Sequence, residues 1–493
     1  MTAKSPGLHI PRLCISALSG GGGKTLLSLG LARALSTKGL AVQPFKKGPD
    51  YIDTAWLSLA AGRPASNLDP FMLPPERLQS LFAHVAGRLQ APALALVEGN
   101  RGLFDGLDAS GSCSTAELAR ILQCPLLLCL DCTKMTRTAA AVLRGVLTFE
   151  PGLHFVGVVL NQVGSARHET IVRRALEAYT DSVVLGALPR LKRNPLPERH
   201  MGIASQGAEL GRSAQSRLDA LGDLVATHVD VAAVVAAAQA APPLACAAAF
   251  WPALDAGLAS SRPRIGYVRD KALWFYYEQN LEALERAGAE LVQLSLVDDV
   301  RWPGHGIGAQ NPLHGLYLGG GFPEDCVRAL SASPHIANLG HWAAAGMPIY
   351  AECGGFMLLA AGIEREGRFW PMGNVFPVTA QFCDRPQGLG YVRATVSAQN
   401  PYFPTGMEIV GHEFHYSRCR WHRDDMTFGL RMHKGQGMGK APKGDAGLVD
   451  ALLYRNVWAA YSHVFAPTTP CWASNFTSVA RHFAAASREG TAQ

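Results

Sequence analysis

Charge is scarce in this chain and nowhere concentrated. Charged side chains make up 17% of the 493 residues, against 48% hydrophobic. That balance excludes a disordered polyelectrolyte and allows large cores. The formal net charge of +6 is spread without a Lys/Arg block. It argues against a nucleic-acid binder and fits an enzyme with anionic ligands. Zinc-type cysteine spacing is also missing. The 11 cysteines are scattered. The single C-x-x-C, Cys129 and Cys132, lies inside the apolar run LLLCLDC and has no second pair, so most cysteines read as buried thiols in a reducing compartment. No stretch of about 18 strongly apolar residues occurs. The Ala-rich run from Val231 to Phe250 comes nearest, but carries Gln239, Pro242 and Pro243. The opening MTAKSPGLHIPRL has no apolar signal core, and no internal repeat is visible. The expectation is a soluble cytoplasmic protein, with neither membrane nor nucleic acid as partner.

What the chain does have is a phosphate-loop pattern, CISALSGGGGKTLLS, from Cys14 to Ser28. An apolar run reaches Leu18. Gly20, Gly21, Gly22 and Gly23 follow, then Lys24 and Thr25, then a helix-spaced apolar pattern. Glycines let backbone N–H groups close around phosphate oxygens, and the helix N-terminus favours the anion. Lys24 is placed to reach the β/γ-phosphates and Thr25 to hold Mg²⁺. The standard pattern has Gly where this chain has Leu18.

Around that loop, short apolar runs alternate with helical patterns. LAVQPFKKGPD, ALALVEG, PLLLCLDC, HFVGVVLNQV and VVLGALP read as strands of a parallel sheet covered on both faces. Lys24, Asp50, Glu98 and Asp131 fall at strand ends, where such sheets place ligands. A change to Ala- and Pro-rich composition then marks a linker. RIGYVRD, GLYLGGGFPE and MPIYAECGGFMLLA open a second α/β series. The expected division is a first domain over 1–240, a linker over 241–261 and a second domain over 262–493. The polar, glycine-bearing segment from Arg418 to Leu448 reads as a loop or hairpin region.

Two constellations carry chemistry. KKGPDYID sets Asp50 and Asp53 three residues apart, and Glu98 ends another strand. One such acid alone reads as a solvated loop residue. Three at strand ends of the sheet that bears the phosphate loop point to Mg²⁺ binding or orientation of an attacking group. The second is Cys353 in YAECGGF. A nucleophile between strand and helix, flanked by glycine, sits on a strained elbow, and the helix N-terminus is expected to lower its thiol pKa. Gly319, Gly320 and Gly321 are candidates for oxyanion N–H donors, and His463 for the base. In GHEFHYS, His412 and His415 are three apart rather than four, with no third ligand evident. That argues against zinc and for a substrate or domain-contact role.

With these motifs the chain resembles the cobyrinic acid a,c-diamide synthase family, ATP-dependent amidoligases of corrinoid biosynthesis. The likeness runs nearly end to end through SGGGGKT, QPFKKGPDYIDTAW, NLDPFML, VEGNRGLFDG, STAELAR, LPERHMG, YYEQNLEAL, LYLGGGFPE, AECGGF, GHEFHYS and Ser462-His463. KGPDYID and LPERHMG are specific to this branch; the glycine loop and AECGG are shared more widely. The resemblance implies a dethiobiotin-synthetase-like P-loop domain followed by a class I glutamine amidotransferase-like domain. It implies ATP as co-substrate with Mg²⁺. Gly20 to Gly23, Lys24 and Thr25 would bind the nucleotide, and Thr25, Asp53 and Glu98 the metal. Asp50, Asp53 and Glu98 would serve carboxylate activation, with Tyr51 near the macrocycle. Cys353 would be the glutaminase nucleophile and His463 its base. ATP would convert a carboxylate to an acyl phosphate, and ammonia from glutamine would displace the phosphate, once each at the a and c acetates. Val464 and Phe465 stand where the usual triad carries its Glu, so the third residue is unassigned. Hydrogenobyrinate and sirohydrochlorin-type macrocycles remain alternative substrates, and a homodimer remains open. A ParA/MinD-like ATPase switch is the rival from another class. Its signature Lys is absent, Ser19 standing there, and it gives no reason for AECGGF.

Overall fold

The computed structural model describes residues 8–90, 92–192, 208–244, 249–253, 262–297, 302, 312–444 and 447–489. The LPERHMG motif and residues 245–248 and 254–261 of the expected linker lie outside them. The chain divides into two compact units. One is Met1–Ile203 with Glu209–Pro252; the other is Ala253–Gln493 with Ala204–Ala208.

The first unit is built on seven strands. They are β1 (Arg12–Ala17), β2 (Ala41–Lys47), β3 (Ser66–Leu68), β4 (Ala93–Glu98), β5 (Leu126–Asp131), β6 (Phe155–Val163) and β7 (Val184–Pro189). Their order is β3-β2-β4-β1-β5-β6-β7, and every pairing is parallel. β1 and β4 bury almost every residue, as central strands covered on both faces must. Helix α1 (Lys24–Thr37) starts directly after Gly23, whose φ of 96° is glycine territory. It buries Leu27, Leu29, Leu31 and Leu35, each contributing about 1.5–3 kcal/mol. Helix α2 (Ile52–Ala61) carries Asp53 in its first turn, where the helix dipole favours an acid. The result gathers the ends of β1, β2 and β4 and the starts of α1 and α2 at one edge.

The second unit holds an eleven-stranded mixed sheet. Its parallel half is β8 (Arg264–Val268), β9 (Glu290–Leu294), β10 (Gly315–Leu318) and β11 (Ile349–Glu352), in the order β9-β8-β10-β11, with Val457–Ala460 parallel beside β11. Antiparallel strands continue it through Leu448–Tyr454, Thr427–Lys434, Gly388–Val396 and Glu408–His415 to His463–Val464. A four-stranded sheet joins Arg368–Pro371, Ala360–Arg365, Phe376–Phe382 and Ser417–Trp421. Of the loop and hairpin readings of Arg418 to Leu448, the hairpin is the nearer: the segment supplies antiparallel strands to both sheets. Thr427–Lys434 buries Gly429, Leu430 and Met432 and exposes Arg431, His433 and Lys434. An antiparallel strand with one solvated face has loop-like composition. Tyr317 of β10 and Tyr350 of β11 are fully buried and pack with Trp472, and Tyr350 also with Trp458 and Phe476, in an aromatic cluster under the parallel half.

Candidate functional site

In the first unit the glycine loop hangs from two neighbouring strands. Asn161 Nδ2 on β6 and the Cys129 thiol on β5 both donate to the Gly22 carbonyl, at 3.2 and 3.3 Å. At Gly23 a Cβ would lie 2.1 Å from Asn161 Nδ2, whereas Gly20 and Gly21 face open space. The loop closes with Leu18 in place: Gly22 N donates to the Ser19 carbonyl at 3.4 Å. Backbone N–H groups at the N-terminus of α1 are thus left accessible to an anion.

Beside the loop lies a compact charge cluster. Lys46, the penultimate residue of β2, donates to Asp53 Oδ2 at 2.6 Å, to Glu98 Oε1 at 2.8 Å and to the Gly99 carbonyl at 3.1 Å. Thr25 Oγ1 donates to the same Glu98 Oε1 at 2.7 Å, and Asp53 N donates to Asp50 Oδ1 at 3.0 Å. Burial alone would lower the Lys46 pKa, but the carboxylates of Glu98 and Asp53 outweigh it and hold the ammonium charged. Asp53 would be raised by burial and is instead held low by Lys46. Burial raises Glu98, with Lys46 opposing. Burial, reinforced by Asp53, pushes Asp50 up to about 6. Lys24 is lowered by burial and then by the charge of Lys46.

Thr25, Asp50, Asp53 and Glu98 therefore come together with Lys24 as anticipated, and Lys46 joins them unforeseen. Its signal was the KK pair ending the strand before GPD. Tyr51, expected beside the macrocycle, is 3% exposed at the N-terminus of α2, so this conformation gives it no open face. Asp131 caps a local turn, accepting from Thr133 N at 2.8 Å. A hard cation fits the cluster. Glu98 Oε2 is buried with no hydrogen-bond partner among the described residues, and Thr25 Oγ1 and Asp53 offer further oxygen donors. Among the described residues no three or more His, Cys, Asp or Glu form a complete metal cage, so phosphate oxygens and water would fill the shell, as is usual for Mg²⁺.

In the second unit Cys353 joins β11 to the helix Gly354–Leu359. Its backbone has φ 49° and ψ −106°, a strained conformation for a residue with a side chain. Cys353 N is anchored to the Ala460 carbonyl at 2.7 Å. Of the three glycines proposed as oxyanion donors, two are already committed. Gly319 N donates to Tyr276 Oη at 2.9 Å and Gly320 N to the Phe275 carbonyl at 3.0 Å. The N–H groups that face the sulfur are those of Gly354 and Gly321. The expected lowering of the thiol pKa does not occur. Burial, followed by the charge of Glu324, pushes the Cys353 thiol well up, and the Gly354 and Gly321 N–H groups offset only part of it. A six-residue helix adds too little dipole to reverse this.

His463 borders the same turn. Its ring stacks on His412 at 4.6 Å, and a Cβ at Gly320 would lie 2.5 Å from its Cε1. Asp450 fixes the approach to it, accepting from Tyr461 N, Ser462 N and Ser462 Oγ at 2.9, 2.9 and 2.6 Å. The carboxylate beside His463 is Glu352. Its Oε2 lies 3.4 Å from His463 Nδ1 and accepts from Tyr317 Oη at 3.0 Å, while Oε1 accepts from Val464 N at 2.9 Å. Glu352 directly precedes the cysteine, whereas the usual triad acid would follow the histidine, where Val464 and Phe465 stand. His412 Nδ1 bonds Tyr277 Oη at 3.0 Å and His415 Nδ1 the Ser417 carbonyl at 2.8 Å; both belong to the packing around His463 and Tyr461.

Residues 13–203 match the CobQ/CobB/MinD/ParA nucleotide binding domain, and residues 264–469 the CobB/CobQ-like glutamine amidotransferase domain. The first of these groups amidoligases with MinD and ParA; full-length relatives separate them. The chain is 40% identical over 470 residues to a cobyrinate a,c-diamide synthase of Magnetococcus marinus, covering 94% of this chain and 96% of the relative. It is 37% identical over 489 residues to the protein of the same name from Dehalococcoides mccartyi, covering 97% and 99%. With one of Syntrophotalea carbinolica it shares 40% identity over 421 residues, 84% and 87% of the two chains. A glycine cradle above a buried lysine–carboxylate cluster, a strained cysteine elbow and this end-to-end likeness agree: the chain belongs to the cobyrinate a,c-diamide synthase family.

Proposed function

We propose that this chain amidates the a and c acetate carboxylates of cobyrinic acid, using ATP and glutamine. The observation that carries the reading is the presence in one chain of a phosphate cradle lined by Lys24, Lys46 and three acids and of a strained cysteine elbow flanked by His463. We assign residues 1–240 to the synthetase half and 262–493 to the amidotransferase half, joined by 241–261.

In the synthetase half the loop N–H groups and Lys24 hold the ATP phosphates, and Thr25, Asp53 and Glu98 hold Mg²⁺. When bound, the ion supplies charge neutralisation for the transferring phosphoryl group. Lys46 keeps Asp53 ionised and holds Glu98 in place, while Asp50 orders the macrocycle side of the site, with Tyr51 buried behind it at the start of α2. The substrate carboxylate attacks the γ-phosphorus, giving acyl phosphate and ADP. In the amidotransferase half the Cys353 thiol gives its proton to His463 as the sulfur attacks the glutamine side-chain amide. Gly354 and Gly321 N–H groups stabilise the oxyanion, His463 returns the proton to the leaving ammonia, and water releases glutamate from the thioester. Glu352 positions His463. Ammonia then attacks the acyl phosphate and expels phosphate.

This reading places the protein in the cytoplasm with small-molecule partners alone, neither nucleic acid nor membrane. Among the described residues no helix is long and apolar enough to cross a membrane. A homodimer is compatible with the chemistry, which does not require one. The test is mass spectrometry of cobyrinate, hydrogenobyrinate and sirohydrochlorin, each incubated with ATP and glutamine. Two amides on cobyrinate are expected; no amide on cobyrinate overturns the assignment, and amidation of another ring alone redirects it.

A further inference from the structure

Close to the cysteine elbow lies a carboxyl group that the reaction above does not use. Glu324 sits in the 3-10 turn Pro323–Asp325. That turn abuts the elbow: a Cβ on Gly354 would lie 2.9 Å from Pro323 Cδ. Glu324 is 5% exposed, and its Oε2 is buried with no hydrogen-bond partner among the described residues. Its charge acts on both Cys353 and Tyr461. An orphaned buried carboxyl oxygen is costly unless a donor arrives. Nearby, Arg365 closes the strand Ala360–Arg365. Its Nη2 pairs with Asp325 Oδ1 at 3.3 Å and its guanidinium lies 4.0 Å over the Phe382 ring. Its Nη1 is buried and likewise lacks a hydrogen-bond partner among the described residues, and its charge acts on Glu324.

We infer that Glu324 and Arg365 receive the amino-acid end of glutamine, Glu324 taking the α-ammonium and Arg365 the α-carboxylate. This rests on reading Cys353 as the glutaminase nucleophile and adds what selects its substrate. Each side chain offers one buried atom without a hydrogen-bond partner among the described residues, a carboxyl oxygen and a guanidinium nitrogen, and these match the two ends of a zwitterion, while the thiol beside Glu324 meets the side-chain amide. Burial holds the Glu324 carboxyl up at about 8, so it is largely neutral until a cation enters. A site that leaves a buried carboxyl unpaired without an α-amino group discriminates against analogues that lack one.

The probe is glutaramate, which is glutamine without its α-amino group. Glutamate or glutarate release is measured for the full-length protein with each amide. In Glu324→Gln the ratio of kcat/KM for glutamine over glutaramate should fall about 100-fold, through KM rather than kcat. Glu324→Asp, which keeps the charge, should recover part of that ratio. Arg365→Met should lower the preference for glutamine over glutaminamide, whose α-carboxylate is an amide, by about 10-fold or more. Turnover of glutaramate by Glu324→Gln shows that the elbow is still assembled. An unchanged ratio, or an equal fall with both substrates, overturns the inference. Absence of glutamate release by the unmutated protein would instead overturn the nucleophile assignment, and this inference with it.

Discussion

In the first unit, buried charges are matched before any ligand arrives. Lys46 lies against Asp53 and Glu98, with side chains 0%, 24% and 0% exposed, and Lys24 and Asp50 complete the group. In the second unit the proposed nucleophile is held neutral. Cys353 is buried beside Glu324, and its thiol is pushed up rather than down. The difference follows from what each centre receives. A polyanion needs a fixed, charged cradle, and a pre-paired lysine keeps such a cradle from collapsing. A neutral amide needs a thiol that becomes a nucleophile only as a base takes its proton. That restraint also protects the sulfur, because thiolate character governs its oxidation.

The comparison breaks most sharply at Lys24. Lys24→Ala should cut amidation about 10²-fold or more, with glutamine or ammonium salts alike, because the loss lies in phosphoryl transfer. Amide formation is the measurement; near-normal amidation refutes the cradle. Asp53→Asn and Glu98→Gln should lose amide formation in the same way yet still release glutamate from glutamine. Loss of glutamate release with amidation from ammonium intact would put those acids in the wrong centre.

A smaller effect is expected at Glu352. Glu352→Gln should lower kcat for glutamine about 10- to 100-fold with KM little changed, and should leave ammonium-dependent amidation alone. A change in KM only would make it a binding group rather than the residue that orients His463.

These residues also mark how far the sequence could be read. ALALVEG and PLLLCLDC end as strands at Glu98 and Asp131, because unbroken apolar runs ending in an acid have one good solution in a covered parallel sheet. The cysteine elbow was legible for a similar reason, since only a strand–turn–helix with glycines explains AECGGF. Lys46 was not legible: a lysine at a strand end normally faces water, and only the sheet order, with β4 beside β2, brings Glu98 to it. Glu352 was hidden because strand alternation says nothing about a histidine 111 residues on, at 463. The antiparallel strands between 417 and 454 are legible only as a loop-or-hairpin choice, because each has one solvated face and local composition resembles a loop.

The smallest effect concerns stability. A carboxyl raised in the folded state costs nothing below its unfolded pKa of about 4, and the cost appears as pH rises toward the folded value. For Asp50 that value is about 6. Asp50→Asn should therefore stabilise the fold by about 1–3 kcal/mol near neutral pH, with the gain vanishing near pH ~4. Thermal unfolding at the two pH values checks it; a gain that is the same at both would mean that Asp50 is not buried as a charge.

The central claim is that one chain houses two separable chemistries, a glutaminase at Cys353 and an ATP-dependent amidation at the Lys24 cradle. Cys353→Ser tests it most directly. A serine hydroxyl in the same elbow has far too little nucleophilic form at neutral pH, whereas amidation needs only ammonia. Amide formation by this variant should be lost with glutamine and retained with ammonium chloride at alkaline pH, where more ammonia is unprotonated. Wild-type rates with glutamine would contradict the nucleophile. Failure with both nitrogen sources, in a folded protein, would contradict the separation itself.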